Sequence, residues 1–116
     1  MKKEFVKFIA VAAVLMGTSA TALAAYVQAE VGLVTRMRTY SGFGTGDVVL
    51  WVQNAPSGCD GFWFRTTEPN GKEMFAQILA AQKTQSSMYF TGYSDQAWPG
   101  SASVFCKLYS LDTYAN

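Results

Sequence analysis

Histidine is absent from the 116 residues, cysteine occurs twice, proline three times, and charged residues make up only 15%. Each shortage excludes something. A tetrahedral zinc site of the usual Cys/His kind has too few ligands, and every nucleophilic triad that uses histidine as its base is ruled out. Serine without histidine or a nearby lysine has no evident activator. The acids Glu30, Asp47, Asp60, Glu68, Glu73, Asp95 and Asp112 fall mostly at expected turns or element ends, with no pair marked as an acid and a base. Gly42, Gly44 and Gly46 form Gly-x-Gly-x-Gly, but between two expected strands rather than ahead of a helix, which is not the phosphate-cradling arrangement. The sequence therefore predicts a protein that is not an enzyme, with no catalytic residues, no metal and no cofactor.

The one long hydrophobic run lies at the start. Lys2, Lys3 and Lys7 precede or border nine unbroken apolar residues, 8–16, and Ala22, Leu23 and Ala24 supply small residues at the positions a signal peptidase reads. The run is too short to span a bilayer. Residues 1–24 are thus expected to be an export leader, cleaved after Ala24 or, one residue on, after Ala25. The product is expected to be secreted or periplasmic, with no membrane span.

Removing that leader takes away three of the nine Lys plus Arg and one of the eight Asp plus Glu. The remaining 92 residues carry six basic and seven acidic side chains, net −1, and 15 of the 17 aromatic residues. No basic footprint for nucleic acid is left, so none is expected as a partner. Export also decides the cysteines: an even pair, Cys59 and Cys106, in an oxidising compartment predicts a disulfide.

No repeat or low-complexity tract divides residues 25–116, so a single domain is expected. Residues 31–40 alternate Val31, Leu33, Thr35, Met37 and Thr39 against Arg36, Arg38 and Tyr40, a strand with one buried face. The glycine-rich stretch 41–47 closes a hairpin with a second strand, 48–53, apolar on both faces. A third strand covers 59–67. Asn70 is placed to cap a helix, with Glu73 at the capping-box position and Met74, Phe75, Ile78, Leu79 and Gln82 in one stripe. Strands 87–93 and 102–112 follow. Three strands, a helix and two strands are the order of a five-stranded OB-like Greek-key barrel. In such a barrel the third and fifth strands are neighbours, which is where Cys59 and Cys106 fall. The competing architecture is an α+β open antiparallel sheet with the helix across it.

A small exported domain with one disulfide, the helical segment from Glu73 through Phe75, Ile78 and Leu79 to Ala81, and a strand carrying Met88, Tyr89, Phe90 and Tyr93 resembles the receptor-binding B subunits of bacterial AB-type toxins. The subtilase-toxin kind is the most similar, along with small secreted bacterial proteins of unknown function. The likeness spans roughly residues 31–111 and rests on apolar patterning. It implies an OB fold, a binding role, ring assembly and an exported partner subunit. It carries over no sugar-binding residues.

Binding residues come instead from the aromatic surface. Tyr89, Tyr93, Asp95, Gln96 and Trp98 gather around the last inter-strand loop, which borders the binding surface of OB domains. Phenol and indole faces stack on sugar rings, while Asp95 and Gln96 can hydrogen-bond hydroxyls. A glycan or glycoconjugate is the expected ligand; the competing role for Trp98 is to cover the barrel end. A protein-binding module, either an inhibitor or a subunit of an exported assembly, is the second functional reading. Val49, Trp51, Phe105 and Tyr109, on outer positions of two strands, form a candidate oligomer interface unless the helix or the amino-terminal segment covers them.

Overall fold

The computed structural model describes residues 25–115; the expected leader, 1–24, lies outside them. Six strands and one helix follow in the order β1 (Tyr26–Gln28), β2 (Val34–Thr39), β3 (Asp47–Val52), β4 (Gly61–Arg65), α1 (Gly71–Thr84), β5 (Met88–Tyr93) and β6 (Phe105–Thr113). They form one mainly β unit with a mixed sheet ordered β1-β5-β6-β4-β3-β2. All neighbours are antiparallel except β4 and β6, which run parallel. An antiparallel sheet throughout is thereby corrected, and so is the count of five strands. The sheet is not closed by a ladder between its edges, β1 and β2.

The additional strand, β1, lies ahead of the single strand expected over 31–40, of which β2 keeps 34–39. Chain 26–39 is extended but interrupted near Gly32, whose two backbone groups exchange hydrogen bonds with Met88 (2.8 and 3.0 Å). Beyond it, the β2–β3 register shifts between Val34 and Arg36, leaving Thr35 as an extra residue. Such a bulge reverses the alternation. Val34 and Met37, three apart, both pack on the core, while Thr35 is exposed.

The two faces of the sheet bury different sets. On the inner face Val48, Leu50, Phe62, Phe64, Phe90, Cys106 and Leu108 pack with Ile78 and Ala81 of α1. The helical stripe is turned slightly from expectation: Met74 and Phe75 are half-buried, Ala81 is buried, and Leu79 is exposed. Asn70 occupies the cap position in a left-handed conformation (φ 62°) without a side-chain cap bond, so the expected capping box does not form. Gly71 instead sets the start of α1 against the end of β4, where a Cβ would lie 2.2 Å from the Arg65 carbonyl oxygen.

Cys59 and Cys106 are bonded, with Cα atoms 5.7 Å apart, beside the parallel β4–β6 pair in which Phe62 faces Cys106. Gly61 opens β4 at the same point. A Cβ there would meet the Leu50 carbonyl oxygen at 2.0 Å and the Phe105 ring at 3.0 Å, and β3 and β6 hold both in place. Gly61→Ala is expected to destabilise by roughly 1–3 kcal/mol, as overpacking does. Urea unfolding of the two proteins measures this.

Candidate binding surface

The outer face of the sheet carries the residues of functional interest. One register row crosses all six strands: Tyr26, Tyr93, Lys107, Trp63, Val49 and Arg38. At its centre, the loop 94–104 folds back over the sheet. Trp98 is only 5% exposed and packs with Val49, Trp63 and Phe105. Its indole N–H donates to Asp47 Oδ2 (2.8 Å), and its backbone N–H donates to the Phe105 carbonyl (3.0 Å). Tyr40 and Phe43, from the loop between β2 and β3, close over the same ring at centroid distances of 5.2 and 5.4 Å.

Asp47 is buried at the start of β3 and also accepts from Arg65 Nε (3.0 Å). A charge taken out of water needs such partners. Trp63 donates its indole N–H to the Gln96 carbonyl (2.8 Å), which ties the loop to β4. Asp60 Oδ2 accepts from the Val104 N–H (2.9 Å) at the loop's far end.

The sequence-predicted ligand residues take different positions in the fold. Trp98 has its faces against protein, in the covering role, and presents no open ring. Gln96 contributes its carbonyl to Trp63, and the Asp95 and Gln96 side chains are exposed. Tyr89 lies near the start of β5, paired with Asp112, away from the loop. Tyr93, at the end of β5, stays partly exposed. Among the candidate interface residues, Val49 and Phe105 are buried beneath the loop rather than beneath the helix or the amino-terminal segment; Trp51 is half-buried and Tyr109 is exposed.

A different constellation surrounds Tyr93. Tyr26, Tyr93 and Tyr109 come from β1, β5 and β6 and meet edge to face, with centroid separations of 5.5–6.5 Å. Tyr109 is 61% exposed and Tyr26 44%. Ala25, just before β1, is anchored by Ser94, whose N–H and hydroxyl both donate to the Ala25 carbonyl. Tyr109 also walls a groove of about 360 Å³ between α1 and β6, with Asn70, Glu73 and Gln77 on the helix side. Sequence reasoning missed Tyr26 because β1 is three residues long and shows no alternation. Tyr109 was legible as an outward-facing position on the last strand and a candidate interface residue, not as a ligand contact.

Among the described residues, four cations of the outer face sit over an indole. Arg65 and Lys107 flank Trp63 at 5.0 and 4.4 Å, and Arg36 and Arg38 flank Trp51 at 4.4 and 5.4 Å. Arg65 pairs with Asp47, and Lys107 pairs with Glu68. Among the described residues no group of three potential metal ligands is gathered, and no helix is long and apolar enough to cross a membrane. No protein-family model, curated protein or solved structure matches this chain.

Proposed function

We propose that the protein is an exported, non-catalytic binding module of OB-like architecture that takes a glycan on the tyrosine surface of β1, β5 and β6. The architectural part rests on topology. A helix between the strands β4 and β5, a parallel β4–β6 pair, and β1 and β2 as two halves of one bent strand are how an OB barrel is ordered. Gly32, bonded to Met88, stands where that strand bends from β5 toward β3, and Leu33 continues it by accepting from the Gln53 N–H (3.0 Å). The same order supports the likeness to toxin B subunits, with a ring and an exported partner subunit as its corollaries.

The exposed tyrosine trio carries the ligand reading. Three phenol rings held against one another lose little freedom on binding, and their open faces stack on the apolar face of a sugar. Asn70 and Glu73 in the adjoining groove offer an amide and a carboxylate to hydroxyls. A glycan array probed with wild type, Tyr93→Ala and Tyr109→Ala tests this. The expected result is a specific signal for wild type that falls at least about tenfold in each variant, given ~1.4 kcal/mol or more per lost platform. An array blank for wild type, with an exported polypeptide recovered instead, would favour the protein-binding module.

A further inference from the structure

The pair of arginines on β2 has no counter-charge of its own. Four cations lie over the two outer-face tryptophans, and two of them, Arg65 and Lys107, are neutralised by Asp47 and Glu68. Among the described residues no carboxylate reaches Arg36 or Arg38 at salt-bridge distance. Yet both guanidinium groups converge on one ring, that of Trp51, which β3 holds edge to face against Phe105 at 5.1 Å. Two like charges drawn over one indole repel each other, and an anion between them removes that cost.

Stacking occupies the flat face of a guanidinium and leaves its in-plane N–H donors free, in the fork that matches phosphate and carboxylate oxygens. Among the described residues one contact uses that capacity: Arg38 Nη1 lies 3.4 Å from the Tyr40 hydroxyl. Both arginines are exposed on an edge strand, open to a ligand from solvent. We propose that Arg36 and Arg38, held over Trp51 with the Tyr40 hydroxyl beside Arg38, form a binding site for a doubly charged phosphate monoester. The charge balances, two against two, and a tetrahedral group has enough oxygens for both forks. The site lies on the β2 edge of the sheet, whereas the tyrosine trio lies toward the β1 edge, so either can fail without the other.

The probes are inorganic phosphate, glucose 6-phosphate and neutral glucose, added at constant ionic strength to ¹⁵N-labelled protein. Expected are saturable shifts of the Arg36 and Arg38 Nε–H and Trp51 indole N–H resonances with both phosphates and none with glucose alone. Equal affinity for the two phosphates identifies the free ion as sufficient; tighter binding of the sugar phosphate identifies an ester. Either supports the site. R36Q/R38Q, with the remaining spectrum unchanged, is expected to weaken binding at least tenfold, and Arg36→Gln alone serves if the double variant does not fold. Lys72→Gln combined with Lys83→Gln, which removes the same charge from α1, is expected to leave it unchanged. Shifts that chloride reproduces, or an R36Q/R38Q protein with undiminished affinity, would overturn the proposal and leave the arginines as mere cover for Trp51.

Discussion

Replacing Cys59 and Cys106 together by alanine is expected to cost about 4 kcal/mol, the loop-closure value for the 47-residue separation between them. For a domain of this size that is a large part of net stability, and the thermal midpoint should fall by roughly 20 °C. The location explains the size of the effect. β4 and β6 run parallel, so a long crossover, 66–104, containing α1 and β5, must close before they can pair. The bond joins the chain just ahead of β4 to the start of β6, so the loop it closes contains the whole crossover and it removes much of the entropy that closure costs. Urea unfolding with and without reductant, on wild type and the double variant, provides the measurement. A change below about 1 kcal/mol would mean that the unfolded chain already keeps those ends together.

Trp98→Ala should cost about as much, roughly 3–5 kcal/mol. The indole fills the space between the loop 94–104 and the outer face of the sheet, and its N–H satisfies one oxygen of the buried Asp47. Its loss leaves a cavity over Val49 and Phe105 and an unpaired carboxylate oxygen at once. Trp98→Phe separates the two terms. It keeps most of the packing and should lose only the ~1.5–3 kcal/mol of a hydrogen bond to a charged group. The alanine variant should also bind a hydrophobic dye and self-associate at micromolar concentration, because the loop is what separates Val49 and Phe105 from solvent. Light scattering after size exclusion checks this. A variant as stable and as monodisperse as wild type would show that the loop is not part of the fold's core.

Much of the framework was legible in the sequence, and for local reasons. Alternation in 48–53 and 59–67, helical spacing through Phe75 and Ile78, and glycines at 44 and 46 with positive φ are properties of neighbouring residues. The disulfide followed from an even cysteine count and the expected export leader. Where local signals competed, the prediction slipped. The bulge at Thr35 interrupts the pattern that suggested one uniform strand. Asn70 with Glu73 spelled a capping box, but Asn70 adopts a left-handed turn that brings Gly71 against Arg65, and close helix–sheet packing prevails over the side-chain cap.

The binding surface was less legible because it is made of distant pieces. Trp98, the most conspicuous loop aromatic, was a candidate for stacking on a ligand; its partner Asp47 lies 51 residues away, and no local pattern links them. Tyr26 and Tyr109 are separated by most of the described chain and meet only because β1 and β6 flank β5. Composition and periodicity by themselves determined a small, mainly β domain with one helix, a cysteine pair and no histidine chemistry. The tertiary structure alone decided which aromatics face protein and which face solvent. Side-chain period fixes only the face of a strand, and what covers that face depends on contacts closed by long loops.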